Sequence, residues 1–127
     1  MTEQPYEQPP LSDEAQTQAR QAVDESAALA AGIVYAVVDG NGTLARGSGA
    51  VSATKLTDGA YQVIFNRNVS RGAFLCTIGL SADAGASPPG EVIVNLRAGT
   101  SNGVFVLTHD STGKIADRSF HLAVVLP

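Results

Sequence analysis

Thr57-Asp58-Gly59-Ala60-Tyr61-Gln62-Val63-Ile64-Phe65 is the stretch on which the fold turns. Asp-Gly tolerates the positive φ angles that a tight hairpin turn between twisted strands requires. After it, Tyr61, Val63 and Phe65 fall on one side of an extended chain while Gln62 and Ile64 fall on the other. That is the period of a half-buried strand, and aromatic and β-branched side chains suit its pleated surface.

The same rhythm runs outward in both directions, as short Val-, Ile-, Thr-, Tyr- and Phe-rich runs separated by Gly, Asn, Asp and Ser clusters. Strands are predicted at 33–38, 43–54 (bent at Gly47 and Gly49), 60–66, 73–80, 91–98, 103–109 and 120–126. Asp39-Gly40-Asn41-Gly42 supplies a second tight turn, and Pro88-Pro89 marks the 82–90 connection as a surface loop, because proline cannot donate to a ladder. Seven strands with no helix among them predict an all-β domain over 33–127, an antiparallel β-sandwich or jelly-roll-like fold.

Upstream the composition changes twice. Residues 1–10 are polar and rich in proline; ordering them would cost about 1–2 kcal/mol of backbone entropy per residue with little burial in return, so a disordered tail is expected. Residues 11–32 are rich in Ala, Gln and Glu and read as one short helix or stalk. Ser12 can cap its start, Asp13 and Glu14 suit its positive end, and Gly32 can stop it. Two stripes, Ala15-Ala19-Ala22-Ser26-Leu29-Ile33 and Ala19-Val23-Ala27-Ala30-Val34, are equally well spaced, so the helix needs a neighbour for stability.

Composition also bounds function. The net charge is −4 and the eight Lys and Arg residues are scattered, leaving no basic stripe for a phosphate backbone; nucleic acid is not an expected partner. The apolar run 27–38 falls short of the roughly 20 residues of a membrane span, and the first residues lack the basic start of a secretory signal. Cys76, the single cysteine, lies in the apolar run Phe74-Leu75-Cys76-Thr77-Ile78 and reads as a small buried hydrophobe.

Alternate residues define a core of Tyr61, Val63, Phe65, Phe74, Cys76, Ile78, Leu80, Val92, Val94, Leu96, Val104, Val106, Phe120, Leu122, Val124 and Leu126. The opposite positions should be polar in a solitary sandwich. They hold Ile64, Leu75, Ile93, Phe105, Leu107, Ala123 and Val125 beside Gln62, Asn95, Arg97, His109 and His121. Monomers seldom expose so much apolar surface, so a subunit interface is expected over Ile64, Leu75, Ile93, Asn95, Arg97, Phe105, Leu107, His121, Ala123 and Val125, with the helix folded back over the sheet as the alternative cover.

Catalytic patterns are weak. Gly40-Asn41-Gly42-Thr43-Leu44-Ala45 fits a relaxed dinucleotide pattern, but no helix begins there; Gly47-Ser48-Gly49 lacks the outer glycine of a nucleophile elbow. His109 and His121, with Asp110 and Asp117 nearby, are the one constellation able to bind a metal or move protons, and interface histidines explain them better. No cofactor is expected. The loops 82–90 and 98–103, through Ser87, Pro88, Pro89, Thr100, Ser101 and Asn102, are the candidate ligand loops, with a protein or a glycan as the ligand.

Tyr61-Gln62-Val63-Ile64-Phe65-Asn66, Phe74-Leu75-Cys76-Thr77-Ile78, a Pro-containing loop, Asn102-Gly103-Val104-Phe105-Val106 and the closing Phe120-His121-Leu122-Ala123-Val124-Val125 follow in an order that resembles the small trimeric β heads of phage tail-fibre knobs and the H-type lectin domains. What the resemblance implies is a trimer carried on an N-terminal stalk. The expectation from the sequence is therefore a non-enzymatic homo-oligomeric module for binding or assembly. A structural scaffold or cargo adaptor, and a small metal-dependent enzyme using His109 and His121, are the alternatives.

Overall fold

The structure, a computed structural model, describes residues 7, 9, 10, 12–17 and 32–127. Residues 13–17 are helical, and the Ser12 hydroxyl accepts the Ala15 amide at 3.1 Å, the capping bond its position predicts. The expected continuation of the helix to residue 31, and most of the expected disordered tail, lie outside the described residues.

Eight strands follow: β1 (Ile33–Val38), β2 (Leu44–Ser48), β3 (Ala50–Thr57), β4 (Ala60–Phe65), β5 (Ala73–Ile78), β6 (Glu91–Leu96), β7 (Gly103–His109) and β8 (Phe120–Val125). They form two four-stranded antiparallel sheets, β2-β1-β8-β5 and β3-β4-β7-β6, here the first and second sheet. The domain is an all-β sandwich. The single bent strand expected over 43–54 is instead two strands in different sheets, divided at Gly49. Gly49 has φ +75° and turns the chain so close to Val34 that a Cβ there would lie 2.7 Å from that residue's Cγ1, so no other residue fits this corner. The two predicted turns form as expected: Gly42 N donates to Asp39 O at 2.8 Å, and Asp58-Gly59 joins the paired residues Thr57 and Ala60.

Between the sheets, Tyr61, Val63 and Phe65 of β4 and Val104 and Val106 of β7 meet Val34, Ala36 and Val38 of β1 and Phe120, Leu122 and Val124 of β8. Tyr61 and Phe120 make an edge-to-face pair with ring centroids 5.1 Å apart, at the heart of this layer. Each large side chain fully buried here contributes roughly 1.5–3 kcal/mol. The expected core holds with two amendments. Ile78 and Leu80 do not belong to the buried cluster, whereas Val34, Ala36, Val38 and Val69 do. β1 reads Ile-Val-Tyr-Ala-Val-Val, apolar at every position, so its sequence conceals which side faces in.

Polar bonds close one end of the sandwich. The Tyr61 hydroxyl donates to Gly40 O at 2.7 Å, buried Thr108 donates from its hydroxyl to Ala116 O at 2.6 Å, and Asp117 accepts from both Gly59 N (2.7 Å) and Lys55 Nζ (2.6 Å). Among the described residues no buried side-chain nitrogen or oxygen lacks a partner, as a well-formed interior requires.

Candidate binding groove

The positions expected to form one interface lie on two surfaces. Leu75, His121, Ala123 and Val125 are on the outer face of the first sheet, and Ile64, Ile93, Asn95, Arg97, Phe105 and Leu107 are on the outer face of the second. Alternation separates inside from outside, but it does not say to which sheet a strand belongs. The apolar surplus is therefore divided between opposite sides of one sandwich.

On the first sheet the register builds a trough. Ala123 of β8 pairs with Tyr35 of β1 on one side and Leu75 of β5 on the other, so a methyl group lies between two large side chains. The resulting groove has a volume of about 410 Å³ and is lined by Tyr35, Val37, Leu75, Thr77, His121 and Ala123 together with the intervening backbone. Leu75 is 60% exposed and Tyr35 39%, so its walls stand in solvent. Ile33 and Val125 extend the apolar surface beyond it.

One end of the groove is closed by the chain leaving β5. Gly79 N donates to Ser119 O, His121 Nε2 donates to Leu80 O at 2.9 Å, Arg46 Nη1 donates to Ser81 O at 2.7 Å, and the Ser81 hydroxyl donates to Asp39 at 2.6 Å. A carbonyl can only accept, so the His121 proton is on Nε2. Arg46 and His121 pair with Val37 from either side, and Val37 is only 4% exposed although it faces outward. The opposite end, toward Ile33, Ala73 and Val125, has no such closure among the described residues.

The second outer face is flatter in its chemistry. Arg97 Nε donates to Gln62 Oε1 at 2.9 Å, which carries its side chain across the sheet beside Phe105 and Ile64. Ile93, paired with Leu107, remains 54% exposed, and Glu91 stands two residues before it on the same face.

His109 and His121 belong to opposite outer faces, so one site within a chain cannot use both. The described residues hold no group of three or more His, Cys, Asp or Glu side chains placed to ligate a metal. Burial pushes the Cys76 thiol up to about 12, against a weaker opposing bond from the Thr77 backbone, so it carries almost no thiolate at neutral pH.

The two expected ligand loops do not converge. One precedes β6 and the other follows it, so they occupy opposite ends of the sandwich. Thr100, Ser101 and Asn102 are engaged in holding the chain: Thr100 accepts the Gly103 amide, Ser101 O accepts Val69 N, and Asn102 exchanges bonds with the Phe65 backbone. Ser87 donates to Pro88 O, and Pro89 O accepts from Arg118. What the sequence missed was the groove itself, whose signal is the small Ala123 flanked by large residues on two neighbouring strands.

No family model, no curated protein and no solved structure matches this chain. Among the described residues no helix is long and apolar enough to cross a membrane.

Proposed function

We propose that this protein is a non-enzymatic homo-oligomeric β module that serves assembly and binding through its outer faces. The observation that carries the reading is the apolar character of both faces at once, with Leu75 60% and Ile93 54% exposed on opposite sides of one sandwich. A solitary antiparallel sandwich turns polar residues outward, and contiguous exposed apolar surface marks interaction sites. Either patch can bury its apolar surface against further copies of the chain, and a trimer is the closed arrangement implied by the resemblance to small trimeric β heads.

Light scattering on the purified chain tests this. A mass at a multiple of 13.0 kDa, three chains for the trimer, is expected at micromolar concentration. A 13.0 kDa particle under those conditions overturns the reading.

A further inference from the structure

We infer that the end of the sandwich where β1 begins is a docking surface for the acidic N-terminal segment of the same chain, with Arg67 and Arg71 receiving Asp24 and Glu25. The inference is independent of the oligomeric reading above and concerns charged loops, not the apolar faces.

Charge is sorted along the strands. Asp39, Asp58, Asp83, Glu91, Asp110 and Asp117 are all the acidic residues of 33–127, and all lie at the end that carries the Asp58-Gly59 turn, where Arg46, Lys55, Lys114 and Arg118 offset them in part. Arg67, Arg71 and Arg97 lie at the other end, in the connections 66–72 and 97–102, with no side-chain carboxylate beside them. A terminal carboxylate at Pro127 would offset one of the three. Upstream the balance reverses. Residues 1–32 hold six Asp and Glu against one Arg, whereas residues 33–127 hold six against seven Lys and Arg, so the net charge of −4 arises wholly ahead of β1.

The basic end is built to hold its charges outward. Val69 is fully buried and its amide donates to Ser101 O at 2.8 Å, Gly72 N donates to Val69 O at 3.0 Å, and Asn68 Oδ1 accepts the Ser70 amide and hydroxyl. Gly72 packs so tightly on β8 that a Cβ there would lie 2.6 Å from Val124 Cγ1. With the loop pinned at these points, Arg67 and Arg71 stand exposed on either side of Val69, and neither makes a hydrogen bond or ion pair among the described residues. Arg97 keeps its charge but is drawn over the second outer face by neutral Gln62.

Reach agrees with charge. Ile33, Val125 and Ala73 lie in one row across β1, β8 and β5. Two strand spacings, about 10 Å, therefore separate the start of β1 from that of β5, which begins two residues after Arg71. Glu25 precedes Gly32 by seven residues. That length spans about 10 Å at helical rise and about 25 Å fully extended, so either covers the distance. An exposed ion pair is weak by itself, but a segment tethered this near has an effective concentration on the order of millimolar.

Paramagnetic relaxation in the full chain tests the contact. A nitroxide on Ala22→Cys, with Cys76→Ala removing the other thiol, should erase most of the amide signal of residues 67–71 in a nitrogen-15 correlation spectrum and spare Asp58 and Asp110 at the opposite end. Charge separates docking from mere tethering. Arg67→Glu with Arg71→Glu should return most of that signal, and adding Asp24→Arg with Glu25→Arg should remove it again. Salt at about 1 M, where the screening length falls to about 3 Å, should act on the wild-type charges as the first reversal does.

Signal at 67–71 that is intact with the wild-type charges, or that ignores the reversal, overturns the inference, as does failure of the second reversal to restore the loss. In an equal mixture of spin-labelled chain at natural isotopic abundance and nitrogen-15 chain without the label, residues 67–71 should keep their signal. Loss there would give the surface to the segment of a second copy and overturn the contact within one chain. A 13.0 kDa particle in light scattering defeats the oligomeric reading and leaves this result standing.

Discussion

β8 and β5 lie side by side in one sheet and carry the same kind of inward sequence, Phe-Leu-Val in one and Phe-Cys-Ile in the other, yet their surroundings differ. Phe120, Leu122 and Val124 are closed off completely, whereas Phe74, Cys76 and Ile78 are half-buried. The second sheet repeats the contrast between β7 and β6. Central strands are covered by neighbours on both sides and by the facing sheet; edge strands are covered on one side only. The fold is thus held by β1, β4, β7 and β8, while β5 and β6 retain apolar surface beyond what folding uses, and those two strands carry Leu75 and Ile93.

Truncation of matched residues should break this comparison most forcefully. Phe120→Ala removes a ring packed against Tyr61 and should destabilise the protein by about 3–5 kcal/mol in urea unfolding. Phe74→Ala, on the adjacent strand, should lose roughly half as much in the isolated chain, since solvent already reaches that ring. Equal losses would mean that β5 is as fully enclosed as β8 and would remove the distinction.

A smaller effect should mark the polar closure of the interior. Thr108 is the one buried polar residue among those described, and its hydroxyl satisfies the Ala116 carbonyl, tying the 110–119 connection to β7. Thr108→Val keeps the shape but leaves that carbonyl without its partner, so a loss of about 1–3 kcal/mol is expected in thermal or urea unfolding. Retained stability together with faster amide exchange at Gly59 and Ala116 would assign the hydroxyl to local ordering instead.

How much of this was legible in the sequence depends on what alternation encodes. Tyr61-Gln62-Val63-Ile64-Phe65 fixes which residues point inward, and the buried and half-buried positions of β4, β7 and β8 alternate as that pattern demands. Alternation says nothing about which strands are neighbours. Hence ten outward residues that read as one surface prove to be two, and loops that seemed able to share a ligand lie at opposite ends of β6. The crossing at Gly49 was half visible: a glycine there signals a bend, but only its approach to Val34 shows that the chain changes sheets. The groove depends on the pairing of Tyr35 and Leu75 with Ala123, residues separated by 40 or more positions in the chain, and no local pattern reports it.

The smallest effect belongs to the exposed ion pair at the closed end, where pH distinguishes it from packing. Partial burial tends to raise the Asp117 carboxyl, but the Lys55 ammonium and the Gly59 amide outweigh it and hold its pKa below the usual 3.8. A depressed carboxyl contributes stability that is present above the unfolded value and is lost as pH falls through the folded one. The Asp117 side chain is 39% exposed, so solvent screening keeps the contribution of the Lys55 pair small. Asp117→Asn should therefore lower the unfolding midpoint slightly at pH 7 and less at pH 3, where the wild-type carboxylate is itself being neutralised. Added salt should narrow the gap at pH 7 as well. A difference that widens on acidification, or that ignores salt, would show that Asp117 acts through the geometry of the Gly59 turn and not through its charge.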